Sequence, residues 1–410
     1  GLLHGEEVRL LHAERRRGIG LFIAYYYAQR GSFRRAGKEK EPMAKVKVAV
    51  VGLGFGAEFI PIYQRHPDAE CYAICQRNEE HLNEIGDQFG IERRFTKFED
   101  LLGIDELDAI HVVSPIADHA WMSLESLKAG KHTCCTVPMA TTQEDCLALV
   151  QARENSGKVY MMMETAVYAR EFLYAKELVE SGKLGKIQFL RGSHQQNMGL
   201  PGWPEYWYGF PPMHYATHAV SPLLCLAKKR AESVVCHGSG RIQEDYIKRY
   251  NSPFAAETAI IKLADSDLAC EVTRSLFNTI RQYRESFDVY GTELSFEWEQ
   301  TAGEGPVIYS GYEDAERIEI PDFGHLLPKE IAPFTGHGVY DEEHEHTSFI
   351  QGSGHGGSHP HLTHEFVRAI VEERKSAVDA GTAANWTMAG ICAHESAMND
   401  GRRIQIPQTD

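Results

Sequence analysis

The chain is short of positive charge, of paired cysteines and of long apolar runs. Its 42 lysines and arginines face 58 aspartates and glutamates, for a formal net charge of −16. A surface of that sign repels phosphate backbones and anionic lipid, so neither nucleic acid nor a membrane is expected as a partner. The nine cysteines are odd in number and form no C-x-x-C pair, and the neighbours Cys134 and Cys135 cannot easily bridge each other. That usage points to buried thiols in a reducing compartment, and so to the cytoplasm. No run of about 18 apolar residues occurs, so no transmembrane helix is expected. Internal repeats and long low-complexity tracts are also missing.

What is present suits a soluble globular protein: 410 residues, 43% hydrophobic and 24% charged, are enough for two domains with a large core. The first forty residues stand apart. Arg15-Arg16-Arg17, Arg30 and Arg34-Arg35 make them basic, and Leu21–Tyr27 is apolar but short. No small-residue cleavage site follows, whereas Met43-Ala44-Lys45 looks like a natural start. Residues 1–42 are read as a leader or an artefactual extension, with a membrane- or partner-binding arm as the alternative.

The run Val46–Val51 reads as a buried parallel strand that feeds directly into Gly52-Leu53-Gly54, with Ala57 closing a G-x-G-x-x-A spacing. The first glycine permits a tight turn, the second lets a pyrophosphate approach the backbone, and the small third residue lets helix and strand pack closely. A helix from about Glu58 is expected to follow, its N-terminal amides and dipole facing the phosphates. Strands at 70–75, 108–113, 131–136 and 159–163 alternate with helices, two of them capped by Asn78 and by Thr141 or Thr142. Such alternation means a parallel sheet with ligands at the strands' carboxyl ends, where Gly52, Ser114, Val137 and Glu164 all fall. The fold class is α/β, with a Rossmann dinucleotide-binding domain over 43–165. After the second strand, where an acid usually takes the ribose, stand Gln76 and Arg77. Gln76 can bond a ribose and Arg77 can pair a 2′-phosphate, so NAD is expected with NADP left open.

From residue 166 to 410 the pattern changes to short alternating strands without crossover helices. Phe296 with Leu294 and Trp298 faces one way, Ser295 and Glu297 the other. This is read as an α+β substrate-binding and oligomerisation domain with a large, mainly antiparallel sheet. Two late helices return to the first domain. An open sheet face suggests a homodimer or homotetramer.

Chemistry is sought in Pro211–Pro222. His214, Tyr215 and His218 are three or four apart, and on one helix they would share a face. A phenol beside an imidazole suits acid/base work on a sugar hydroxyl, with a neighbouring cation or the cofactor's charge lowering the phenol's pKa. The alternative is a set of structural histidines packed under the sheet. Trp203, Tyr206, Trp207, Tyr208 and Phe210 offer flat faces for a sugar ring, or else form a satellite apolar cluster. Seven histidines lie in 337–364, among them His355, but their spacing matches no metal motif and no metal is assigned. Gly352–Gly357 is read as a stretch where backbone approaches a ligand or another chain.

The glycine turn, Ser114-Pro115 with His119, Ala129-Gly130-Lys131-His132 and the late Tyr215-x-x-His218 stand in one order. With them the chain from about Val46 to Pro407 resembles the Gfo/Idh/MocA family of nicotinamide-dependent oxidoreductases. The resemblance implies a cofactor site at Gly52, Gly54, Phe55, Gly56, Ala57, Gln76, Arg77, Ser114, Pro115, His119 and Pro138. Most members end the fifth strand with Glu-Lys-Pro, the lysine serving the reacting hydroxyl. Here Thr136-Val137-Pro138 stands there, so proton abstraction falls to other groups. The chain is most similar to a branch of NAD-dependent glycosidases typified by α-N-acetylgalactosaminidase, which also has valine before the proline. Met161-Met162-Met163-Glu164, Tyr168 with Arg170, Tyr215-Ala216-Thr217-His218 and His355-Gly356-Gly357 carry that likeness, while Ser193–Asn197 departs from it. It implies that Glu164, Tyr215 and His218 line the sugar site, where they are assigned the catalytic roles, with Tyr168 and His355 nearby; the residue pattern adds His214, Trp203 and Trp207 around the sugar. Three functions follow: hydride transfer from a sugar ring carbon such as C3, a redox-neutral glycosidase, or a cofactor-binding sensor without turnover.

Overall fold

The computed structural model describes residues 44–281, 283–336 and 355–409, with the short paired segments Tyr340–Asp341 and His346–Thr347. The leader, Gly352-Ser353-Gly354 and His337 lie outside the described residues. Strand β1 (Val46–Val51) is buried at all but one position. A parallel strand covered on both faces has no polar side to alternate with, which is why its sequence is an unbroken apolar run.

The chain leaves β1 through a helical turn at Leu53–Gly56, a 3₁₀ turn at Ala57–Phe59 and α1 (Ile60–Arg65). The helical path therefore begins five residues before the expected Glu58. The narrow 3₁₀ section just precedes Pro61, which has no N–H to continue an α-helical ladder. Next come β2 (Ala69–Cys75), α2 (Glu79–Gln88), β3 (Arg94–Phe95), β4 (Ala109–Val112), α3 (His119–Lys128), β5 (His132–Cys135), α4 (Gln143–Ser156) and β6 (Tyr160–Met162). The strands form a parallel sheet in the order β3-β2-β1-β4-β5-β6. Asn78 caps α2 by accepting from the His81 amide, and Thr142, rather than Thr141, caps α4 by accepting from the Asp145 amide.

Beyond α5 (Arg170–Glu180) the chain builds β7 (Ile187–Gln196), α6 (Thr217–Ala227), β8 (Ala231–Ser239), α7 (Glu244–Tyr250), β9 (Ala256–Leu263), β10 (Ala269–Ser275), β11 (Tyr283–Gly291), β12 (Ser295–Glu297), β13 (Val307–Tyr309) and β14 (Ala315–Arg317). After α8 (His359–Val371) and α9 (Ala380–Met398), β15 (Ile404–Gln405) closes a nine-stranded sheet. Its order is β14-β13-β12-β11-β7-β10-β9-β8-β15, antiparallel throughout except for the parallel pair β7 and β10. Helix α6 lies on its inner face. Gly192 on β7 makes this possible, since a Cβ there would sit 2.0 Å from the Ala219 carbonyl oxygen. Helix α8 returns to the first domain, where Leu362 and Phe366 pack with Val48, Phe59 and Tyr63. Among the described residues no helix is long and apolar enough to cross a membrane.

Candidate active site

A cavity of about 620 Å³ opens between the carboxyl ends of the parallel strands and the inner face of the larger sheet. Its first wall holds Gly54, Phe55, Ser114, His119, Val137 and Thr165. Its second holds Trp203, Trp207, Tyr215, His218, Gln196, Tyr283, Glu285 and His355.

The first wall fits a dinucleotide. Gly52 has φ 89°, and a Cβ there would lie 2.5 Å from the Val113 carbonyl oxygen, so only glycine makes this turn. A Cβ on Gly54 would meet nothing within 4 Å, leaving its backbone open to a phosphate. Close packing of turn on strand falls to Gly56, whose Cβ would be 3.0 Å from Val50, with Ala57 buried beside it. His119 joins two strand ends: its Nδ1 lies 2.7 Å from the Pro138 carbonyl oxygen and its Nε2 lies 2.8 Å from that of Ser114. Burial holds its pKa below the usual value. Pro115 stands beside Ser114, and Gln76 and exposed Arg77 follow the end of β2, outside this cavity.

In the second wall the expected single helix face is replaced by two pieces. Pro212–Tyr215 is a 3₁₀ turn, Ala216 is non-helical, and α6 starts at Thr217. The Met213 amide donates to buried Glu257 (2.7 Å), and the other oxygen of Glu257 contacts His394 Nδ1 (2.7 Å). The break separates the three residues. Tyr215 and His218 reach the cavity, their rings 5.4 Å apart. His214 does not: it packs against His394 and Phe210, and burial lowers its pKa to about 3. Tyr168 is likewise outside the cavity, stacked on His361.

Glu164 sits behind His218, fully buried, and accepts from its Nδ1 at 2.6 Å and from the Ala166 amide at 3.0 Å. Burial opposes a charge on His218, but Glu164 and Glu285 outweigh it and raise the pKa above the ordinary value. Tyr215 follows the opposite balance. Burial pushes its phenol up, and Arg274, although 5.1 Å from the ring, only partly offsets this. Arg274 alone therefore does not produce the lowering expected of a neighbouring charge, because desolvation outweighs it. Arg170 holds the His355 segment in place, its Nη2 donating to the Thr335 carbonyl and its backbone amide to that of Gly356.

Three groups were not anticipated: His194, Arg274 and Glu285. They lie side by side on β7, β10 and β11, His194 paired in register with Arg274 on one side and Glu285 on the other. Glu285 Oε1 accepts from the Tyr283 hydroxyl (2.5 Å) and has His355 Nδ1 at 3.5 Å, His194 Nε2 at 3.7 Å and His218 Nε2 at 4.0 Å. Burial opposes its charge, yet His218 and His355 win and hold its pKa well below the carboxylate range. Alternation along 192–196 was the available signal, but it does not say which strand lies opposite.

Residues 46–164 match the family model described as "Oxidoreductase family, NAD-binding Rossmann fold", and residues 172–297 match "GFO/IDH/MocA C-terminal domain". A glycosyl hydrolase family 109 protein of Shewanella baltica is 29% identical over 214 residues, 46% of this chain and 47% of that protein. An α-N-acetylgalactosaminidase of Shewanella oneidensis is 26% identical over 201 residues, 44% of each chain. These matches span about half the length of the curated relatives. Among solved structures, levoglucosan dehydrogenase in complex with NADH and L-sorbose has the same fold, with a TM-score of 0.73 at 19% identity over 90% of this chain and 100% of that one.

Proposed function

The chain belongs to the Gfo/Idh/MocA oxidoreductase family, and on that premise we propose that it removes a hydride from a ring carbon of a sugar, C3 in our reading. NAD, when bound at the glycine turn, accepts that hydride. The observation that carries the reading is one cavity lined by Gly54 and Phe55 together with Tyr215 and His218, with buried Glu164 bonded to His218 from behind. Trp203, Tyr206 and Trp207 line the cavity and offer apolar ring surface to the C–H face of a sugar. Tyr215, protonated at rest, bonds the reacting oxygen, and the hydroxyl proton passes to His218, which Glu164 holds in one orientation. We infer that Arg77, just past the end of β2, pairs a 2′-phosphate and so admits NADP.

A second reading is favoured by Val137, which lines the cleft where most members carry lysine. Oxidation at C3 acidifies the neighbouring C–H, the aglycone is eliminated, water adds, and the ring is reduced again. The names of the glycosidase relatives support it. Aryl glycosides incubated with and without added NAD separate the readings. Net reduced nicotinamide means dehydrogenase; released aglycone without it means glycosidase; neither refutes both. In either case Tyr215→Phe should cost at least roughly 100-fold in turnover with little change in NAD affinity. We place the reaction in the cytoplasm, since all nine cysteines are free thiols. We also propose a homodimer or homotetramer through the outer sheet face, where Phe189 and Ile260 are exposed. Light scattering at micromolar protein checks this, and a monomer refutes it.

A further inference from the structure

We propose that His194, His218 and Glu285 bind a first-row divalent cation, such as Zn²⁺, at the floor of the cleft. The three side chains come from β7, α6 and β11, and one ligand atom from each lies within 4.8 Å of the others. A cation with bonds of about 2.1 Å holds its ligands about 3–3.5 Å apart. The observed 3.7 Å and 4.0 Å from Glu285 Oε1 to the two Nε2 atoms need only sub-ångström contraction.

Three observations point to a ligand rather than to packing. His194 is fully buried, yet neither ring nitrogen has a hydrogen-bond partner, and its Nε2 is the atom nearest Glu285. An unsatisfied buried group of that kind costs about 1–3 kcal/mol and requires a reason. His218 has its Nδ1 engaged by Glu164 at 2.6 Å, which leaves Nε2 facing the site. A carboxylate behind an imidazole is how ligating histidines are commonly oriented. Finally, Glu164 is fully buried and Glu285 is only slightly exposed, and the buried guanidinium nearby, Arg274, already commits four of its five N–H groups elsewhere. It donates to the carbonyls of Tyr215, His194 and Ser275 and to Gln196 Oε1. Two imidazoles and a carboxylate with open positions suit Zn²⁺, Mn²⁺, Fe²⁺ or Co²⁺ better than Mg²⁺ or Ca²⁺.

His218 and Glu285 line the cavity, so the open coordination positions face substrate. A hydroxyl oxygen bound there would meet the positive charge that Val137 does not supply. This role rests on the proposed sugar reaction, and it makes His218 a ligand instead of the proton acceptor; the binding site itself does not depend on that reaction.

The test is metal content, read apart from activity. The full chain is treated with chelator, exchanged into metal-free buffer, and titrated with Zn²⁺ and with Co²⁺. About one equivalent per chain is expected, tighter than micromolar, with the visible Co²⁺ absorption of a nitrogen- and oxygen-ligated ion. His194→Ala and Glu285→Gln should each weaken binding at least 100-fold while thermal melting and NAD binding stay close to wild type. Fewer than 0.2 equivalents at saturating metal, or binding unchanged in both variants, overturns the site. Full turnover by chelated protein overturns the catalytic role. Stoichiometric binding without turnover of any glycoside leaves the site standing and removes the proposed reaction.

Discussion

Replacing Glu164 with glutamine isolates the charge behind His218. The wild-type contact is 2.6 Å between side chains 2% and 0% exposed, so water and salt screen it little. A charge-assisted hydrogen bond contributes about 1.5–3 kcal/mol, and a neutral one about half of that. The amide keeps an oxygen for the Ala166 N–H, but its NH₂ takes the place of Oε2, which has no hydrogen-bond partner. Should the NH₂ instead turn to Nδ1, the imidazole proton moves to Nε2 and points into the cleft. The first outcome keeps a neutral hydrogen bond from Nδ1 and so removes only about half of that energy, roughly 0.8–1.5 kcal/mol. The second removes about 1.5–3 kcal/mol where Nε2 acts, whether that atom receives a proton or holds a cation. We expect kcat/KM to fall roughly 4- to 150-fold, as these energies dictate. NAD affinity should stay within about twofold, because Glu164 lies behind His218 and not at the glycine turn. Steady-state turnover, cofactor titration and a melting curve together read the effect. A folded Glu164→Gln protein with wild-type kcat/KM would refute the reasoning.

Gly52→Ala should melt roughly 5 °C lower and lose NAD binding, since φ 89° and the Val113 oxygen leave a methyl group no room; unchanged melting and cofactor titration would contradict this. Arg77→Ala should weaken NADP roughly tenfold and NAD hardly at all, as measured by competitive titration; an unchanged ratio removes Arg77 from the cofactor site. Stability should fall as pH drops from 7 to 5. Burial holds His66, His132 and His361 near pKa about 4 and His111 near about 3, so each is neutral when folded but gains a proton below about 6.5 when unfolded. His66 Nδ1 accepts from the Asp68 amide, so its Nε2–H donates to His364 Nδ1, an arrangement that a second proton would break. The loss is about 1–2 kcal/mol per histidine by pH 5; a melting temperature constant over that range would refute it.

The first domain was legible because its signals are local. Apolar runs, the glycine turn and the Asn78 and Thr142 caps each act within a few residues. The helix start misplaced at Glu58 shows how far such signals reach: Pro61 reshapes the path without ending it. Tyr215 and His218 do meet in the cleft, but the spacing argument that paired them was only half right. Spacing assumed one continuous helix, whereas Ala216 interrupts it and sends His214 toward His394. Glu285 and His194 were illegible because their meeting is a matter of register between β7 and β11, which are far apart in sequence. No period along either strand names the opposite residue.

The missing lysine sharpens what the cleft must still provide. Among the described residues, no lysine or arginine lines the cavity. Arg274 lies beneath Tyr215 and commits four of its five N–H groups to three carbonyls and Gln196, so it fixes the wall and does not itself line the cavity. Buried Lys131 donates to the Ile104 and Leu107 carbonyls, behind the sheet's other end. Positive charge at the reacting hydroxyl is then left to two sources. One is a proton on His218, held between Glu164 and Glu285; the other is a cation bound by His194, His218 and Glu285. A proton leaves both nitrogens of His194 unexplained, while a cation uses Nε2 and keeps Glu285 ionised. That asymmetry is why the metal titration, more than any activity assay, decides how this cleft works.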